Sequence, residues 1–273
     1  MAYLSLLYPP PGAFHAPVLA SSIVLVGDSS GSGLCLAVLQ SILHLRRQSP
    51  NADPKIRFHG KDVSLPLPAG FSGLSTSADL THSQHSWTAN ALHDVLPNEP
   101  PPIRVSQPPC DIWPSDPPRG DLYCDLSALC HPLVSPTAAI DWAGAPPMRF
   151  GCGEEMLADE GGIIARRAAR QGTCVSWEQF EAMPHSFVGY LSWLPQTKLC
   201  FRHWADFCLQ CVQDPRALVT QGAFIEFEGL TSHAVDVASM SVPTVEEARQ
   251  MMAREARRRQ IKFETQSRLK ARI

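Results

Sequence analysis

An α/β architecture, with a mostly parallel sheet flanked by helices, is predicted for this 273-residue chain by three observations. A β-branched apolar run, Ile23-Val-Leu-Val26, ends in Gly27-Asp28-Ser29-Ser30-Gly31 and opens a helical repeat. Two later apolar runs, Pro147-Met-Arg-Phe150 and Val175-Ser-Trp-Glu-Gln-Phe180, each lead into a loop that carries carboxylates or a histidine. Between them, the carboxylate-rich loop ending at Gly161 runs into a helix. Strands alternating with helices are the pattern of βα units in a parallel sheet.

The elements follow in order. Residues 2–8 read as a helix and Pro9-Pro-Pro-Gly12 as a loop before the first strand. After Gly31, the residues Leu34, Ala37, Val38, Ser41, Ile42 and Leu45 recur at helical spacing up to Arg46-Arg47. A serine that attacks a carbonyl must project from a sharp strand-to-helix turn, and glycines at 27 and 31 leave room for that strained backbone. Gly-x-Ser-x-Gly also occurs as a plain glycine-serine loop. The strand before it and the helix after it favour the nucleophile elbow, with Ser29 at the tip. Residues 61–74 are a strand candidate and 122–130 a short helix candidate.

A nucleophilic serine needs a base and an orienting acid. Gly151-Cys-Gly-Glu-Glu-Met-Leu-Ala-Asp-Glu-Gly161 places carboxylates after one strand, and Glu181-Ala-Met-Pro-His185-Ser-Phe187 places a histidine after the next. Serine, acid and histidine thus occur in the chain order that a strand–elbow–helix scaffold requires.

These three segments together, Gly-Asp28-Ser29-Ser-Gly31, Glu155-Met-Leu-Ala-Asp159-Glu-Gly161 and Glu181-Ala-Met-Pro-His185-Ser-Phe187, resemble the hormone-sensitive-lipase-like branch of the α/β-hydrolases, the fold-3 family, and most of all its fungal members. The resemblance spans about residues 1–195. It implies a carboxylic-ester hydrolase working through an acyl-enzyme. Ser29 would be the nucleophile, His185 the general base, Glu155 the acid and the Ser30 N–H one oxyanion donor, in an elbow built from Gly27, Asp28 and Gly31. Glu155 stands where the family usually has aspartate, and either carboxylate can orient an imidazole. Glu154 is its nearest rival, whereas Asp159 and Glu160 suit the first turn of the following helix.

The family's His-Gly-Gly-type oxyanion motif is absent upstream of Ser29. The resemblance therefore implies a partial α/β-hydrolase fold, N-terminally truncated, without the first strands of the sheet, and leaves the serine strand at an edge open to self-association. The chain alone is expected to fold and hydrolyse poorly. The alternative is a catalytically impaired fragment, or a small-molecule-binding pseudoenzyme on the same fold.

Net charge of −3 and 44% hydrophobic residues describe an ordinary globular protein and point to neither nucleic acid nor a membrane surface. The expected partner is a small-molecule ester, with no cofactor and no membrane span. Nine cysteines, an odd number, and no secretory leader point to reduced thiols and a cytoplasmic location.

Three further regions admit more than one reading. Residues 94–119 concentrate prolines, which suits a surface insertion or, in the functional alternative, a polyproline II ligand for an SH3 or WW partner. Cys200, His203, Cys208 and Cys211 have zinc-ligand chemistry, but on one helix they spread over roughly 16 Å, and ligands must converge to about 2.3 Å. The expectation is a half-buried helix face and no metal; His131 beside Cys130 is expected to be a loop residue. The domain reading is a hydrolase domain over 1–212, an irregular extension over 213–243 and a basic helical tail over 244–273, opened by a Thr244/Glu247 capping box. The basic run admits a nuclear-targeting or anionic-surface reading beside that of a solvated helix face.

Overall fold

The structure is a computed structural model, described for residues 2–49, 53–97, 120–121 and 123–270. The proline-rich segment from 98 to 119, and Leu122, lie outside the described residues.

After α1 (Ala2–Leu7), β1 (Val24–Asp28) feeds α2 (Ser30–Gln48). A small antiparallel hairpin follows, β2 (Lys55–Phe58) and β3 (Lys61–Ser64), closed by His59 and Gly60 with φ of 45° and 77°. Two consecutive positive φ values match the twist of paired strands, which explains the glycine. Next come β4 (Gly70–Leu74), α3 (His85–Ala89), β5 (Met148–Gly153), α4 (Ala158–Arg170), β6 (Val175–Phe180), α5 (Phe187–Tyr190) and α6 (Pro195–Gln213). The chain finishes with β7 (Gln221–Ile225), β8 (Ser232–Ala234) and α7 (Val245–Lys270).

The main sheet runs β1-β4-β5-β6-β7-β8, parallel throughout except for the last pair. Its faces are divided by strand alternation. Phe71, Met148, Phe150 and Trp177 point to one side, where Leu36, Leu39 and Leu43 of α2 and Ile164, Ala165 and Ala168 of α4 close the main core. On the other side, Leu74, Phe180 and Ile225 pack with Cys200 of α6 and with Phe187. Both faces of β4 and β5 are buried, so these strands read as continuous runs without an exposed polar face. Among the described residues β1 ends the sheet, and its burial alternates toward its end.

Two expectations change. The stretch 213–243, expected to be irregular, supplies β7 and β8, and its Val237 and Met240 enter the main core. Gly222 explains how so short a strand fits, because a Cβ there would lie 2.6 Å from the Val235 carbonyl oxygen. The 244–273 tail does form a helix with the expected capping box: Glu247 N–H donates to Thr244 Oγ1 at 3.2 Å and Thr244 N–H to Glu247 Oε2 at 2.8 Å. It is nevertheless packed onto the body. Val245 and Ala248 bury against Ile163, Met252 is fully buried, and Ala256 and Phe263 pack near Leu126 and Leu129. The Arg259 guanidinium donates to the carbonyls of Leu80 and Thr81 at 2.8 and 2.9 Å. The helix-candidate stretch at 122–130 contains one 3₁₀ turn, Leu126–Ala128, capped by Asp125. Among the described residues no helix is long and apolar enough to cross a membrane.

Candidate active site

Ser29 stands at the junction of β1 and α2 with φ 53° and ψ −124°, a region that side chains other than glycine rarely occupy. The strain is held from both sides. Its N–H donates to the Leu74 carbonyl at 2.9 Å, and its own carbonyl accepts from Ser32 at 3.0 Å and Ser77 at 3.2 Å. Gly27 is required by this turn, since a Cβ would come within 2.3 Å of the Gly31 and Ser32 backbone. Gly31, by contrast, faces open space, and the close approach falls instead at Gly33, where a Cβ would meet the Ser77 carbonyl oxygen at 2.2 Å. Ser30 begins α2, so its N–H is one of the first-turn donors without an intrahelical acceptor.

His185 lies in the loop after β6, with Nε2 2.9 Å from Ser29 Oγ and Nδ1 3.0 Å from Glu155 Oε1. With Nδ1–H donating to the carboxylate, Nε2 is left to accept the serine O–H. Glu155 is completely buried in the loop after β5. Its second oxygen accepts from Ser75 Oγ at 2.6 Å and from the Gly153 N–H at 3.0 Å, so a buried charge is solvated by fixed donors. Burial alone would push His185 toward its neutral form. The hydrogen bond and charge of Glu155, with the charges of Asp94 and Asp28, outweigh it and hold the pKa above the ordinary 6.5.

The rival acids point elsewhere. Glu154 accepts the Ala182 N–H at 2.9 Å, Asp159 accepts the Ser86 N–H at 2.9 Å, and Glu160, buried in the first turn of α4, accepts the N–H groups of Ala78 and Asp79. Asp28 accepts from Ser186 Oγ at 2.8 Å, linking the residue before Ser29 to the residue after His185. An open depression of about 530 Å³ lies beside Glu154, lined by His93, Glu181, Glu226 and Glu228. Glu181 is engaged with the Phe227 N–H and Glu226 with His233.

The residues on α6 with zinc chemistry are otherwise occupied. His203 Nδ1 hydrogen-bonds Glu178, which also pairs with the fully buried Arg149, and Cys200 Sγ lies 3.7 Å from Arg149. Cys211 packs against Gly70. Among the described residues no group of three or more His, Cys, Asp or Glu is arranged to hold a metal ion.

Ser75, Asn90, Asp94 and Tyr190 have no motif to mark them in the sequence. The Ser75 hydroxyl, besides donating to Glu155, accepts the Ser186 N–H at 2.9 Å, and Tyr190 Oη donates to the His185 carbonyl at 2.7 Å.

No protein-family model matches the chain. It is similar to an acetyl-hydrolase of Streptomyces hygroscopicus, with 28% identity over 175 residues, 64% of this chain and 48% of that protein. The chain therefore spans about half the length of the curated relative it matches. Among solved structures it resembles a hormone-sensitive lipase from a metagenome library, at 26% identity and a TM-score of 0.51, covering 71% of this chain and 55% of that one. An esterase of the bacterial hormone-sensitive lipase family matches at 25% identity and the same TM-score and coverage. A mutant of the esterase E40 does so at 27% identity, with a TM-score of 0.51 and coverage of 71% and 55%. A mostly parallel sheet flanked by helices, with these neighbours, is the α/β-hydrolase fold.

Proposed function

We propose that this chain carries the chemistry of a hydrolase of small carboxylic esters, with Ser29 as nucleophile, His185 as general base and Glu155 as the orienting acid. One observation supports the reading above all. Ser29 Oγ, His185 and Glu155 form an unbroken hydrogen-bonded line of 2.9 and 3.0 Å, assembled from the ends of three different strands. The similarity to an acetyl-hydrolase and to esterases supports the reaction class.

In the first half-reaction Ser29 Oγ attacks the ester carbonyl while its proton passes to His185 Nε2. Glu155 stabilises the imidazolium through the Nδ1 hydrogen bond. The tetrahedral oxyanion takes the Ser30 N–H as one donor, at the positive end of α2. His185 then returns the proton to the departing alkoxide, leaving alcohol and acyl-Ser29. In the second half-reaction water gives a proton to His185 and attacks the acyl carbon. Collapse frees the carboxylic acid as His185 passes that proton to the departing Ser29 Oγ, restoring the serine. No cofactor takes part in this scheme.

The test is a fluorophosphonate probe together with a short-chain p-nitrophenyl ester. Ser29 is expected to be labelled, and Ser29→Ala to lose both label and turnover by about 10³- to 10⁶-fold, because the three residues act as a unit. Labelling that persists in Ser29→Ala overturns the assignment. An unlabelled wild-type chain that still binds the ester would favour the non-hydrolysing binder instead.

A further inference from the structure

The peptide between Glu155 and Met156 is gripped at both ends by one short segment. Asn90 Nδ2 donates to the Glu155 carbonyl at 2.9 Å, and the Met156 N–H donates to Asp94 Oδ2 at 2.5 Å. The other oxygen of the same carboxylate, Oδ1, accepts the His185 N–H at 3.0 Å. The carboxylate is itself fixed by the Val95 N–H, 2.6 Å from Oδ1. Asp94 thus spans the two loops that carry Glu155 and His185, touching the backbone of each and neither reacting atom.

We infer that Asp94 is a positioning residue for the reaction proposed above, its single carboxylate setting the separation and orientation of the Glu155 and His185 loops. The inference rests on that reading of Ser29, Glu155 and His185. Its physical basis is that only a carboxylate accepts on both sides. An asparagine would turn its NH₂ toward either the Met156 or the His185 N–H, setting donor against donor. Both bonds are charge-assisted, and they stay short where loops would otherwise adjust independently. Misplacing a catalytic group by about 1 Å costs on the order of 100-fold in rate. The sequence marks Asp94 only as the first residue of a proline-rich stretch.

The experiment compares the fluorophosphonate labelling rate of the full chain with that of Asp94→Asn across pH, with thermal melting as a fold control. The groups facing the His185 imidazole are Glu155, Asp28, Asp94 and Ser29, with Tyr190 on its carbonyl. Asp94→Asn is expected to remain folded, to label at least about ten times more slowly, and to move the midpoint of the pH profile to lower pH, because a negative charge near the imidazole is gone. The charge loss alone moves the midpoint; a purely structural aspartate would lower the melting temperature but leave the high-pH plateau of the labelling rate of the folded fraction in place. A folded Asp94→Asn that reaches the wild-type plateau rate overturns the proposal, whatever its midpoint. Should Asp94→Asn be recovered only as aggregate, Asp94→Glu keeps the acceptors but pushes the loops apart. It carries the same expected loss of rate, and a wild-type rate there overturns the proposal equally. Label retained by Ser29→Ala, or absent from the wild-type chain, overturns the underlying reading and this inference with it. Normal labelling of Asp94→Asn alongside lost labelling of Ser29→Ala overturns the inference alone.

Discussion

Gly153 and Met183 touch backbone to backbone: a Cβ on Gly153 would lie 1.8 Å from the Met183 carbonyl oxygen. This contact joins the last residue of β5 to the loop that carries His185, and it leaves no space for any side chain. Gly153 also donates its N–H to Glu155 Oε2. Gly153→Ala must therefore separate the Glu155 and His185 loops. The expected outcome is a destabilisation well above the average of about 1 kcal/mol for a substitution, with Ser29 labelling lost. A labelled Gly153→Ala with an unchanged melting temperature would show that the two loops move freely.

Glu155→Gln and Glu154→Gln give the sharpest comparison of neighbouring acids. At 155 the amide cannot reproduce a carboxylate that accepts from His185, Ser75 and Gly153, so turnover should fall by about 10³- to 10⁴-fold. At 154 the hydrogen bond at stake is that to the Ala182 N–H, and the loss should stay within about tenfold. Steady-state ester hydrolysis decides it, and the reverse order would move the acid by one residue. In the wild type the rate should rise with pH through a midpoint above 6.5, because the base must be neutral and its pKa is raised.

The elements that are legible in the sequence are those whose signal is local. The run into Gly27-Asp28-Ser29 is visible because apolar residues lead straight into a glycine-serine turn, and the strands ending at Gly153 and Phe180 because Met148, Phe150 and Cys152, and Val175 and Trp177, form an alternating apolar row. β7 is hidden because Gly222 and a single deeply buried Ile225 give too little pattern over five residues. The packing of α7 is hidden by its charge. Val245, Ala248, Met252, Ala256 and Phe263 form a narrow stripe among arginines, and Arg259 contributes through its hydrogen bonds to loop carbonyls. Ser75 and Asp94 lie beyond any motif, because what brings them to Glu155 and His185 is strand order and loop closure.

His203 and Glu178 link stability to pH. The hydrogen bond to Glu178 raises the His203 pKa above 6.5, overcoming partial burial, with the charges of Glu178 and Asp206 adding to it and that of Arg149 opposing. A raised histidine contributes stability that is fully present below its unfolded pKa and is lost as pH rises through the folded one. Glu178 runs the other way. Burial works against its charge, but His203 and Arg149 lower its pKa below 4.5, so its contribution is present above 4.5 and fades as pH falls through the folded value. The stabilising effect of the pair should thus be greatest between about pH 4.5 and 6.5. The melting-temperature difference between wild type and His203→Gln is expected to peak in that window and to shrink toward pH 9. A difference that does not change with pH would mean that His203 contributes by packing alone.

The outer edge of β1 is expected to govern association. Among the described residues β1 pairs with β4 on one side and with no strand on the other. The adjoining surface is apolar, since Val26, Leu34 and Val38 are 41, 63 and 42% exposed. A sheet edge flanked by exposed aliphatic side chains templates pairing with another chain. The chain is therefore expected to self-associate with increasing concentration over the range from about 1 to 100 μM in which such surfaces act. Light scattering coupled to size exclusion should show the mean mass climbing across that range. Val26→Lys points a charge out of the edge strand, and Leu34→Glu removes the largest apolar contribution from the neighbouring helix. Together they should return the chain to a monomer, with Ser29 labelling of the monomeric fraction unchanged, because neither side chain contacts Ser29, Glu155 or His185 in the hydrogen-bonded line. A wild-type chain that stays monomeric at the highest concentration, or a double variant that associates as strongly as the wild type, would rule out this edge as the driver.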